Sequence, residues 1–354
     1  MGERFRKAVL ILSAVSLLSD VCVSQTQDKQ SGPTKTLHAY SLQEALSWLP
    51  GDTETIIGAN GPFSLSDSAA RSVDSSQGLS RSELEQLLRH LPLGLFGLKN
   101  GRLGEFLKRQ KIALAVEGSR HFREPSGLGE MLYEGCEIAV FLGEVRGDSF
   151  IKTAANATVG LEKIANVTVA AFKERLEEDE WTTFVAFPTP NVVVVATNRN
   201  YLDNVLSRMH GAAATRALPD SLPEWKYVNR RALVWGLRHY DSAQAELDPS
   251  SPFGGEKTAN LPDDGAIGVA FYLGASDRRN GTMTYLSRNK DARQMLQRYL
   301  VQAGSEPAST GSFPIGVREL ALGTIECSVP LLRPEALGQF LLVLKAMLGH
   351  AIYL

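Results

Sequence analysis

Residues 181–209, WTTFVAFPTPNVVVVATNRNYLDNVLSRM, decide the fold class. They read as strand, tight turn, strand and helix. Alternation places Thr183, Val185 and Phe187 on one face of the first strand, with Phe184 and Ala186 on the other. Pro188-Thr189-Pro190 makes the turn, because proline fixes φ and has no N–H to give a central ladder. Residues 191–196 form a β-branched run, as expected of a strand buried on both faces. Asn198 or Asn200 can cap the helix that follows, in which Tyr201, Leu202, Val205, Leu206 and Met209 form one apolar stripe. This unit builds a core; it carries no catalytic grouping.

A second stretch has the same order. Gly268-Val269-Ala270-Phe271 echoes Phe184-Val185-Ala186-Phe187, residues 282–286 make a second strand, and Arg288-Asn289 echoes Arg199-Asn200 at the helix entry. Its turn, residues 274–281, is polar and bounded by glycine. Leu49-Pro50 and Leu222-Pro223 each precede a further strand. These echoes predict an internal repeat, 181–209 matching 268–300.

Outward from these units, the 354 residues are 44% hydrophobic and 21% charged with net charge −2, which suits a globular chain and argues against a nucleic-acid surface, which would need clustered Lys and Arg. The N-terminus has the three parts of an export signal: basic Arg4, Arg6 and Lys7, an apolar run over 8–18, and small residues near Ser24. Asp20 interrupts the apolar run, so a membrane-spanning helix is not expected. Cys22 would be the acylated residue of a lipoprotein, but Val21 suits that cleavage poorly. The organisation expected is a signal peptide over 1–24, a polar linker over 25–40, and two halves, 41–212 and 213–354.

Cleavage leaves Cys136 and Cys327, which in an exported chain either form a disulfide stapling the halves or remain two buried thiols. Further strands are expected over 54–59, 112–122, 134–142, 167–176, 233–240 and 317–329, and helices over 42–49 and 83–91. Residues 149–165 show no clear period. Pro334 opens a final helix whose Leu337, Phe340, Leu341, Leu344 and Leu348 share a face, wide enough to belong to a core.

Motifs for chemistry are sparse. There is no His-Glu-x-x-His and no Gly-x-Ser-x-Gly. Residues 254–258, GGEKT, lack the glycine–lysine pair and the following helix of a phosphate loop. Four acids at 177–180 read as a solvated turn rather than a cation loop, lacking spaced ligands and a sharp glycine turn. His121 and Glu124 do not fall at ligand spacing on a helix, since Pro125 follows. The densest polar group is Arg238, His239, Tyr240 and Asp241 at the end of an apolar strand. His239 could act as a general base with Asp241 as its orienter. No nucleophile is recognisable nearby, and residues at a strand end commonly tie down a loop.

Leu49-Pro50-Gly51-Asp52-Thr53, Gly61-Pro62-Phe63, Gly135-Cys136, the run from Trp235 to Tyr240, and Ser251-Pro252-Phe253-Gly254 together resemble a group of uncharacterised exported bacterial proteins. Members open with Leu-Pro-x-Asp-Thr after a signal peptide. The resemblance implies a bacterial source, which would make the Asn-x-Thr sequons at Asn156, Asn166 and Asn280 incidental, and it implies no activity.

The expected fold is α+β: two related halves, each a mainly antiparallel sheet with helices packed on one face. The expected function is non-catalytic binding, in the periplasm or outside the cell, of another protein or an envelope component. No catalytic residue, cofactor or metal is assigned. The alternatives are a hydrolase centred on Arg238–Asp241 and a carrier of an apolar ligand.

Overall fold

The computed structural model describes residues 37–64, 101–107, 109–123, 131–154, 159–176, 179–212, 216–240, 266–274, 280–288, 316–321 and 323–330, together with Phe340 and Leu344. In chain order the elements are α1 (Leu42–Trp48), β1 (Thr55–Ser64), α2 (Gly101–Leu107), β2 (Lys111–Arg123), β3 (Met131–Phe141), α3 (Gly147–Ala154), β4 (Val159–Ile164) and β5 (Val167–Leu176). There follow β6 (Asp179–Thr189), β7 (Val192–Ala196), α4 (Arg199–Ser207), a 3-10 helix (Pro223–Tyr227), β8 (Val234–His239), β9 (Ala266–Leu273), β10 (Asn280–Ser287), β11 (Gly316–Ala321) and β12 (Thr324–Pro330).

All twelve strands belong to one sheet, in the order β11-β12-β10-β9-β8-β1-β2-β3-β7-β6-β5-β4. Every neighbouring pair is antiparallel. This corrects the α+β expectation of two sheets with helices on one face. Residues 41–212 and 213–354 contribute to a single sheet, joined where β1 pairs with β8, and Leu37–Leu354 form one compact unit. The described helices are short, none beyond nine residues, and they lie on both faces.

The reason is burial. Both faces of the central strands are buried, the first almost wholly apolar and the second carrying Glu117, Glu137 and Arg238 among apolar residues, so both are covered. On the first face Ile56, Val116, Ile138, Val194, Trp235 and Leu237 join Leu46 of α1 and Leu202, Val205 and Leu206 of α4 in one core. On the second face Phe150 of α3 packs 5.4 Å from Phe187 and 5.9 Å from Phe172, ring centre to ring centre. All five residues of β7 are buried, as its β-branched run predicts.

Local chemistry sets the element ends. Ser41 caps α1 with a reciprocal Ser41–Glu44 box, and Asn198 caps α4 by accepting from the N–H groups of Asn200 and Tyr201. The first strand, expected over 54–59, instead continues as β1 through Gly61-Pro62-Phe63 to Ser64, with a register slip between Asn60 and Phe63. Residues 317–329, expected as one strand, are the hairpin β11–β12, turning at Gly323 with φ +75°. Residues 149–165, which lacked a period, hold the end of α3 and all of β4. The expected helix over 83–91 lies outside the described residues. Of the final helix, Phe340 and Leu344 are described, helical and buried.

The segment between the halves crosses the first face. Trp225 stands 6.0 Å from Trp235, and the guanidiniums of Arg230 and Arg216 lie 4.1 and 5.3 Å from the Trp225 ring. Both arginines donate to Asp220, at 2.5 and 2.7 Å. Arg216, then Arg230, holds the Asp220 carboxyl below its ordinary pKa.

The two hairpins compared in the sequence occupy different places. β6–β7 sits beside β3, whereas β9–β10 follows β8 directly, as β2–β3 follows β1. The order β8-β9-β10-β12-β11 runs outward from the seam as β1-β2-β3-β7-β6 does.

The disulfide alternative is corrected. Cys136 on β3 and Cys327 on β12 are both free and buried, with five strands between them. At about 4.8 Å per strand their separation far exceeds the span of a disulfide.

Candidate functional site

The polar group at the end of β8 is divided by the pleat. Side chains alternate across a strand, so Arg238 and Tyr240 share the second face and His239 points to the first. Arg238 is 2% exposed and its guanidinium lies 4.6 Å from the centre of the Tyr240 ring. Both make further interactions. Asp241 lies outside the described residues.

His239 has an acidic partner that the sequence did not point to. Its Nδ1 is 2.7 Å from Oε1 of Glu224, a carboxylate with no exposed surface on the 3-10 helix. Gly268, opposite His239 on β9, makes the space: a Cβ there would fall 2.0 Å from Glu224 Oε1 and 2.5 Å from the Arg238 carbonyl oxygen. The imidazole side chain is 33% exposed. A carboxylate on Nδ1 fixes the ring orientation, as in a general-base pair. Among the described residues, however, His239 has no hydroxyl or thiol within hydrogen-bond reach.

Two other polar groupings lie at the centre of the sheet. Glu117 on β2 and Glu137 on β3 are directly opposite each other and buried on the second face, and both engage partners. On the first face Arg120 donates to Glu134 at 3.0 and 2.8 Å and also pairs with Asp52. Its guanidinium stands 5.6 Å from the Tyr201 ring, whose hydroxyl is 2.8 Å from that of Thr53. Burial, and next the neighbouring Cys136, push the Tyr201 hydroxyl well above its usual pKa. Burial first, then the charges of Glu117 and Glu137, do the same to the Cys136 thiol. This set ties the turn before β1 to the start of α4, a structural role.

A groove lies apart from these groups. It has a volume of about 750 Å³ and runs between residues 144–152 and residues 187–190, the end of β6 and the start of its turn into β7. Glu144, Arg146, Asp148 and Lys152 supply both signs of charge, and Phe187 and Pro190 supply apolar surface. The groove is held firmly. The Val145 N–H donates to the Pro190 carbonyl at 2.6 Å. Gly147 lets α3 start against Phe187, since a Cβ there would sit 2.4 Å from the ring. Phe187 is braced by Phe150 and, 6.3 Å away, by Phe106. No histidine or cysteine lines the groove. The sequence placed a turn at Pro188-Thr189-Pro190, whereas β6 runs to Thr189 and turns at Pro190 and Asn191, and it did not mark the facing segment, because residues 149–165 gave no period.

Among the described residues no group of three side chains could hold a metal ion, and no helix is long and apolar enough to cross a membrane. No family model matches the chain, and neither a curated protein nor a solved structure matches it.

Proposed function

We propose that this chain is a non-catalytic extracytoplasmic binding protein whose ligand, a protein segment or envelope component, seats in the groove between residues 144–152 and 187–190. The groove itself carries the reading: it is open, rigidly backed, and lined by both charge signs beside Phe187 and Pro190. Binding sites combine apolar contact area with a few placed polar groups in this way. The three-part N-terminus supports export. The resemblance to exported bacterial proteins fits the same compartment. The parallel strand orders outward from β1 and β8 support an internal repeat in which β9–β10 stands for β2–β3.

A hydrolase reading is favoured by one observation, the buried Glu224 held on His239 Nδ1. The experiment that separates the two is capture from an envelope fraction by the wild type, by R146E/K152E and by H239A. The binding reading expects a ligand retained by the wild type and H239A and lost by R146E/K152E. Retention by all three, or turnover of ester, phosphoester or glycoside probes that H239A abolishes, would overturn it.

A further inference from the structure

Among the described residues the sheet is open, with β4 and β11 as its two edges. Gly160, Leu161 and Lys163 of β4 are exposed, as are Gly316, Arg318, Glu319, Leu320 and Ala321 of β11. Among the described residues three large apolar side chains are exposed, and two of them, Leu161 at 46% and Leu320 at 38%, lie on these edges. Edge strands ordinarily carry charge or irregularity that discourages pairing.

We infer that β4 of one copy pairs with β11 of the next, extending the sheet from chain to chain. Polarity permits it. Twelve strands that alternate in direction leave the two edges antiparallel, so a second copy with its faces aligned meets the first in the same antiparallel sense as every pair inside the sheet. Face permits it too. Glu162 is opposite Val169, which lies in the first-face core. Arg318 is opposite Glu326, which is opposite Thr284, which is opposite Ala270 of the same core. Glu162 and Arg318 are therefore on one face, and Lys163 and Glu319 on the other.

With the two six-residue strands laid flush, Glu162 falls directly opposite Arg318 of the next copy. Ile164 then faces Gly316, and Lys163 stands diagonal to Glu319, within reach of long side chains. Inside each chain Arg199 already pairs with Glu162 at 2.9 Å, and Arg318 with Glu326 at 2.8 Å. The contact thus lines up Arg199, Glu162, Arg318 and Glu326 with alternating sign across the junction.

The same charges oppose symmetric pairing of like edges in the registers centred on a charged residue. Face matching puts one residue on the dyad of such a pair, opposite its own copy. A dyad at Glu162, Lys163, Arg318 or Glu319 brings like charges together, which destabilises a cross-strand pair. The contact between unlike edges is heterologous, and unless its rotation closes a ring it grows. It is independent of what the groove binds.

Sedimentation velocity of the full mature chain over a wide concentration range tests this. The wild type should show a series of species that lengthens with concentration. E162K and R318E, each alone, should weaken association about tenfold or more, the effect of roughly one close charge pair. Mixed in equal amounts they should associate again, because each reversed edge meets a complementary one. The neutral variants E162Q and R318Q should weaken association without recovery on mixing, and far-ultraviolet circular dichroism confirms that each variant is folded. A monomer at every concentration, a dimer indifferent to both reversals, or no recovery on mixing E162K with R318E would overturn the inference.

Discussion

Replacing Gly58 by alanine tests the seam between β1 and β8. Gly58 is directly opposite Trp235, whose indole lies across the glycine. A Cβ at position 58 would fall 2.2, 2.4 and 2.8 Å from Cζ2, Cε2 and Cη2 of that ring. Carbon atoms sit comfortably at about 3.5–4.0 Å, so ring or strand must move by more than about 1 Å. Neither moves freely: Trp235 has no exposed surface and stands against Trp225, while β1 is paired on both sides. Overpacking a tight core costs about 1–3 kcal/mol, and this site should reach the upper part of that range. Urea unfolding of the wild type, G58A, W235F and the double variant gives the coupling. Phenylalanine lacks the indole atoms that clash, so in the W235F background the G58A penalty should fall below about 1 kcal/mol. A G58A cost within about 0.5 kcal/mol of zero, or an equal cost in both backgrounds, would refute this account of the seam.

Leu206 is fully buried between α4 and the sheet, so L206A should lose about 2–5 kcal/mol in the same unfolding assay; a loss under about 1 would show that the site collapses freely. The backbone N–H of Ser41, with further hydrogen bonds from His38 and the Ser41 hydroxyl, lowers the Glu44 pKa from 4.5 to about 2. That contribution is complete above the unfolded value and is lost as pH falls from 4.5 towards about 2, so the stability curves of the wild type and E44Q should converge over that window, whereas parallel curves would contradict it. Burial pushes the Cys327 thiol up to about 12 and Cys136 well above its ordinary range, so neither should react with a disulfide reagent until the chain unfolds. A mobility change on reduction, or fast reaction in the folded chain, would count against two buried free thiols.

The strands were legible wherever alternation or β-branched runs were strong. Residues 181–209 fold as strand, turn, strand and helix as read, with the Asn198 cap and the buried Tyr201, Leu202, Val205 and Leu206. However, β6 runs on through Pro188 and Thr189, the turn falls at Pro190 and Asn191, and α4 ends at Ser207 before Met209. What alternation cannot give is the partner of a strand, and so two apolar hairpins looked alike although one sits beside β3 and the other beside β8. The β1–β8 pairing that merges the halves rests on Gly58 accommodating Trp235, a contact between residues far apart in sequence. Glu224 precedes His239 by only 15 residues, yet the pair was hidden because the 3-10 helix that carries Glu224 shows no helical stripe. Glu117 and Glu137 each stand in an apolar strand, and only the register reveals that they are neighbours. The groove escaped because α3 is a single short helix whose apolar anchor is Phe150 alone against two strands.

The most direct test of the binding reading is amide hydrogen exchange on the chain from residue 25, alone and saturated with any component that the capture experiment recovers. Binding in the groove predicts slowed exchange at residues 144–152 and at Thr189, with 223–240 unchanged. Protection confined to 223–240, around Glu224 and His239, would contradict it and place the functional site at the buried carboxylate–imidazole pair instead.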